Sequence, residues 1–181
     1  LPVRAWTIDD TKGDLYAVKA DGQLYQLRPD GEITQAMGLG GVISVQASEG
    51  RLYAMRLDRG IQIFSKGQWR RLGRSTVAAE LLATRGHLYV LDQDKDLFHL
   101  DRGTWANGGK PIANNVMDLA ASGGHWYGLD KARRVYSGDL GRYIDRDGDA
   151  AAVTAIRSLT FVKILWKTGH YFSALIMIAI S

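Results

Sequence analysis

One short pattern recurs along this chain: a glycine, any residue, an apolar or aromatic residue, an aromatic, then a small residue. It reads Gly13-Asp14-Leu15-Tyr16-Ala17, Gly50-Arg51-Leu52-Tyr53-Ala54, Gly86-His87-Leu88-Tyr89-Val90 and Gly124-His125-Trp126-Tyr127-Gly128. The glycines lie 37, 36 and 38 residues apart, and a weaker copy, Gly169-His170-Tyr171-Phe172-Ser173, follows after 45. Such a period means that one supersecondary unit is repeated, each copy burying its apolar faces on its neighbours.

The second copy displays the unit. Val42 to Ala47 is short and rich in β-branched residues, and Ser48-Glu49-Gly50 interrupts it. Arg51 to Leu57 follows, broken by Asp58-Arg59-Gly60; Ile61 to Phe64 alternates, Ser65-Lys66-Gly67 turns, and Gln68 to Leu72 closes. This predicts four short strands joined by hairpins. Aspartates eight residues past the glycine (Asp21, Asp58, Asp94) mark the second turn. Gly31-Glu32-Ile33, Gly67-Gln68-Trp69, Gly103-Thr104-Trp105 and Gly141-Arg142-Tyr143 mark the fourth strand. No window from 5 to 143 carries a helical spacing of apolar residues.

A lone four-stranded sheet cannot bury both faces, whereas copies stacked radially do so; this predicts an all-β propeller of four complete blades and a partial fifth. Residues 1–143 are expected to hold the four blades, 144–158 an insertion loop, and 159–181 a partial blade or apolar tail. A β-solenoid is the alternative. The chain resembles small propellers of the tachylectin and tectonin type, with their Gly-x-Leu-Tyr-like strands. The hairpin Asp21-Gly22-Gln23-Leu24-Tyr25-Gln26-Leu27 is also similar to those of quinoprotein and lactonase-type propellers. These resemblances imply architecture and leave the ligand open.

The final segment admits three readings: an incomplete blade in a truncated chain, a membrane-inserting tail through 171–181, or an apolar strand that pairs with another chain. The apolar run Phe172–Ile180 is about half of the ~20 residues that a spanning helix needs.

Several side-chain groups are candidates for chemistry. Asp92, Asp94 and Asp96 alternate in a way that suits calcium, but they also coincide with a hairpin turn. Asp145, Asp147 and Asp149 resemble the start of a calcium loop, although Ile156 stands where its bidentate glutamate belongs. His87, His125 and His170 share one repeat slot and are expected on different blades, too far apart for one metal. No hydrolase elbow, phosphate loop, zincin or dinucleotide motif is present, so a non-enzymatic role is expected. Trp69, Trp105 and Tyr143 hold equivalent fourth-strand positions; they suit either carbohydrate stacking or the packing between blades.

The net charge of +4 is spread among interleaved acids and gives no dedicated nucleic-acid surface. The absence of cysteine excludes disulfides and fits either side of a membrane; a periplasmic or secreted location is slightly favoured. The expected role is a binding module without a cofactor, most readily for a protein partner, with self-association open. A lectin-like propeller is the alternative, and a metal-dependent, lactonase-like hydrolase the third.

Overall fold

The structure, a computed structural model, describes residues 3–9, 13–27, 32–73, 77–122, 125–138, 142–145, 150–156 and 161–166. Four antiparallel sheets follow one another along it. The first comprises β1 (Val3–Ile8), β2 (Leu15–Lys19), β3 (Leu24–Leu27) and β4 (Ile33–Ala36). The second comprises β5 (Val42–Ser48), β6 (Arg51–Arg56), β7 (Ile61–Ser65) and β8 (Gln68–Arg71). The third comprises β9 (Ala78–Thr84), β10 (His87–Asp92), β11 (Leu97–Asp101) and β12 (Thr104–Trp105). The fourth comprises β13 (Val116–Ser122), β14 (His125–Asp130), β15 (Val135–Ser137) and β16 (Arg142–Asp145). Every strand pairs with its sequence neighbour, so each sheet is a meander. One 3-10 turn, Ala106–Gly109, follows β12, and no α-helix occurs among the described residues.

The apolar residues form cores between sheets. Val18 and Leu24 of the first sheet meet Val42, Val45 and Leu52 of the second. Tyr53, Ile61 and Ile63 of the second meet Leu81, Leu88 and Val90 of the third. Tyr89 and Leu97 of the third meet Val116, Leu119 and Trp126 of the fourth. Sheets therefore stack face to face in chain order, with β1, β5, β9 and β13 adjoining in turn. Each buried Leu, Ile or Val contributes about 1.5–3 kcal/mol, so this stacking is the main source of stability.

Polar latches fix how each sheet sits on the one before. The Thr7 hydroxyl accepts the Ala47 N–H (3.1 Å), and the Asp9 carboxylate accepts the Gly50 N–H (2.7 Å). One sheet further on, the Ser48 hydroxyl accepts the Gly86 N–H at 3.0 Å. The opposite end of the first strand is held by backbone bonds: Val42 N–H to Gly22 O, Ala78 N–H to Arg59 O, and Val116 N–H to Lys95 O. The three acceptors occupy the same turn slot with φ of 79°, 61° and 67°, the left-handed region that suits glycine. Each hydrogen bond contributes only about 0.5–1.5 kcal/mol net; burial holds the sheets together, and the latches set their register.

Aspartates form these turns, two of them, Asp21 and Asp58, at the repeated position and Asp92 two residues before it. Asp21 accepts the Gln23 N–H and Asp58 the Gly60 N–H, while Asp92 accepts the N–H groups of both Asp94 and Asp96. Asp96 also accepts a bond from Asn114 at 2.6 Å.

A fifth, two-stranded sheet follows, β17 (Ala150–Ile156) and β18 (Phe161–Trp166), with β17 beside β13. It begins inside the stretch 144–158 that the sequence reading assigned to a loop. The pairing of β17 with β18 repeats that of β13 with β14, bulge included, which puts Phe161 at the position of His125, 36 residues on. The period thus continues without the glycine landmark. The expected fifth copy, Gly169 to Ser173, lies outside the described residues.

Candidate functional site

A cleft of about 260 Å³ opens between the third and fourth sheets. The segment after the 3-10 turn supplies Ile112, Ala113 and Asn114; the fourth sheet supplies Val116, Trp126, Gly128, Leu129, Asp130, Tyr136 and Tyr143. Strand pairing explains the convergence. Tyr136 lies opposite Gly128 on β14 and opposite Tyr143 on β16, so a residue without a side chain leaves room beside two aromatic ones.

The rings are held at fixed mutual angles. Tyr136 and Tyr143 meet edge to face, with centroids 5.4 Å apart and planes at 76°, and Trp126 lies 5.8 Å from Tyr136. Trp126 continues to Tyr89 of the third sheet at 6.0 Å, and Tyr89 stacks on His99 at 4.9 Å. Gly138 leaves the space that the Trp126 indole fills, because a Cβ there would collide with the ring.

One wall carries a closed polar network. Asp130 accepts from the Arg134 backbone N–H (2.9 Å), from its guanidinium (2.7 and 2.9 Å) and from the Tyr143 hydroxyl (3.1 Å). The Arg134 guanidinium also lies over the Tyr143 ring, 4.4 Å from its centroid. Burial alone would raise the pKa of Asp130, but these hydrogen bonds outweigh it and hold the carboxyl below its usual range. Burial and the bond to Asp130 push the Tyr143 hydroxyl up. The network thus stays in a single charge state near neutral pH and keeps the cleft rigid.

The sequence-predicted aromatic set is divided. Tyr143 lines the cleft. Trp69 packs on Phe64 (5.1 Å) within the core between the first two sheets and donates its Nε1–H to the Met37 carbonyl at 2.7 Å. Trp105 packs edge-on to Phe98 (6.5 Å) against the next core. Asp145 ends β16, while Asp147 and Asp149 lie outside the described residues. Among the described residues no group of three or more His, Cys, Asp or Glu side chains is placed to hold a metal, and no helix is long and apolar enough to cross a membrane. Residues 171–181 lie outside them.

Two features were missed in the sequence. Tyr136 and Trp126 join Tyr143 only through strand pairing. The β10–β11 hairpin also brings His99 beside His87, with Nδ1 to Nε2 at 3.0 Å and Asp101 3.4 Å from the same His87 nitrogen. A hairpin register counted from Asp94 would have placed this pair. Burial first, and His87 second, depress the pKa of His99, with Asp101 opposing them.

No protein-family model and no curated protein sequence matches the chain. Solved structures match it in shape. It superposes on a KlHsv2 whose loop 6CD is replaced by a Gly-Ser linker with a TM-score of 0.68 at 10% identity, covering 93% of this chain and 60% of that one. For yeast RCC1 (Prp20) bound to Kap60 the values are 0.64 and 10%, covering 86% and 52%. For the N-terminal domain of Nup159 they are 0.62 and 14%, covering 91% and 53%. The fold is of the β-propeller type. The chain spans about half the length of these propeller structures, and the cleft lies between two of its blades.

Proposed function

We propose that this chain is a non-catalytic binding module that receives a side chain of a protein partner in the cleft between its third and fourth blades. The observation that carries this reading is the ring wall of Trp126, Tyr136 and Tyr143, locked by the Asp130–Arg134 network around about 260 Å³. That volume suits one or two side chains, and a rigid aromatic pocket is the usual anchor of a protein interface. Pre-ordering removes much of the entropic cost of binding. The likeness to Prp20, solved with Kap60, and to Nup159, solved with Dbp5 and Gle1, agrees with this role.

The test is selection of a phage-displayed random dodecapeptide library on the chain, followed by titration of the enriched peptide. The peptide is expected to bind the chain and to lose at least about tenfold in affinity with Tyr136→Ala, a cost in the hot-spot range. Equal affinity of the peptide for both proteins contradicts the reading. Binding on a glycan array that Tyr136→Ala and Tyr143→Ala abolish would favour the lectin alternative instead.

A further inference from the structure

The third blade departs from the repeat at two slots on one face of a hairpin. The residue after the repeat glycine and the residue opposite the repeat tyrosine are Asp14 and Gln26 in the first blade, Arg51 and Ile63 in the second, and His125 and Ser137 in the fourth. In the third they are His87 and His99. His87 Nδ1 and His99 Nε2 lie 3.0 Å apart, and the carboxylate of Asp101, opposite His87 across the hairpin, stands 3.4 Å from the same His87 nitrogen. Alternation along the strands puts all three side chains on the face that also carries Tyr89. The His99 ring stacks on Tyr89 at 4.9 Å with planes 14° apart. The other blades keep the same strand pairing with different side chains in both slots, so the hairpin does not need two imidazoles.

We propose that His87 and His99 bind a late first-row divalent cation, copper(II) or nickel(II), between β10 and β11. With a metal–nitrogen bond of about 2.0–2.1 Å, as for zinc, nitrogens 3.0 Å apart subtend about 90° at the metal. That is the angle between neighbouring ligands in the tetragonal sites of copper(II) and nickel(II), and it is smaller than tetrahedral zinc requires. The contact between the rings already needs an unprotonated nitrogen on one of them, and ligation needs it on both. Asp101 places a negative charge beside the cation. The stack on Tyr89 orders the His99 ring in advance, which leaves less ordering for binding to supply. Two protein nitrogens do not enclose an ion, so water takes its remaining positions and the site is open and reversible. The cation replaces one hydrogen bond between the rings with two metal bonds, stapling the hairpin. The proposal does not depend on what the cleft binds.

Calorimetric titration of the full chain with copper(II) chloride near neutral pH tests it. One saturable site in the micromolar range is expected, with two nitrogen couplings in the electron paramagnetic resonance spectrum. His87→Gln, and His99→Gln, which copies Gln26 of the first blade, should each weaken binding at least about tenfold. His125→Gln, in the same slot of the fourth blade, should leave it unchanged. No saturable heat up to millimolar copper overturns the proposal, as does an affinity that His87→Gln leaves in place or that His125→Gln weakens equally. Should His99→Gln unfold the third blade, His87→Gln, at a side chain one-third exposed, gives a second reading in thermal unfolding. Copper should raise the midpoint of the unaltered chain and not that of His87→Gln; equal shifts overturn the proposal.

Discussion

The Gly50 N–H donates to the Asp9 carboxylate at 2.7 Å, which ties the hairpin of one blade to the inner strand of the blade before. Ser48 makes the same tie to Gly86. The repeat glycine therefore has two roles: its positive φ of 69° closes the β5–β6 turn, and its N–H registers neighbouring blades. Asp9 and Ser48, where the first strand of each blade gives way to its hairpin, are polar for the second role, so that side chain and glycine act as a pair split across two repeats.

Removing the acceptor exposes the value of the latch. Asp9 is almost fully buried, and a hydrogen bond to a charged group is worth about 1.5–3 kcal/mol. Asp9→Ala is expected to lower unfolding stability in urea by about that amount, and Asp9→Ser, which copies the second blade, to recover part of it. Equal stability of all three proteins would show that the latch is idle.

The left-handed turn slot makes a prediction of opposite signs. Gly22→Ala should destabilise by about 1–2 kcal/mol, since its φ of 79° disfavours any side chain and the methyl would sit a tight 3.3 Å from the Gly41 backbone. Arg59→Gly, at φ 61°, should stabilise by up to about 1 kcal/mol. Thermal unfolding of the two variants checks both signs.

Tyr53 is buried with a hydroxyl that has no hydrogen-bond partner among the described residues, and burial pushes its pKa to about 12. An unsatisfied buried hydroxyl costs about 1–3 kcal/mol. Tyr53→Phe is accordingly expected to raise stability, where most core substitutions lower it. A lower urea midpoint in this variant would reveal a partner for the hydroxyl.

His99 gives a pH dependence of defined sign. Its folded pKa lies below the ordinary value near 6.5, so the unfolded chain binds the proton more readily. The stability contribution is complete above about pH 6.5 and is lost as pH falls through that value towards the folded pKa. Chemical denaturation from pH 8 to 5 should show a decline that His99→Gln flattens; an unchanged slope would assign the decline to other groups.

Much of this architecture is legible in the sequence. The hairpin period, the turn aspartates and the alternation within strands are local signals, and they mark the blades well. The cleft is less legible because it depends on pairs such as Gly128 with Tyr136, which only cross-strand register brings together. Trp69 and Trp105 share a repeat slot with Tyr143 and are half-buried like it, yet their packing differs: the tryptophans lie against the cores between blades, and Tyr143 borders the cleft. The fifth sheet is less legible for a related reason. The position directly before its second strand, Phe161–Trp166, is Thr160 in place of the landmark glycine, and Gly169 stands nine residues beyond it.

The most direct test follows the indole N–H signals of the five tryptophans during titration with the selected peptide. The account predicts that the Trp126 signal shifts in step with binding while those of Trp69 and Trp105 stay in place. Shifts at Trp69 and Trp105 with Trp126 unmoved would contradict it.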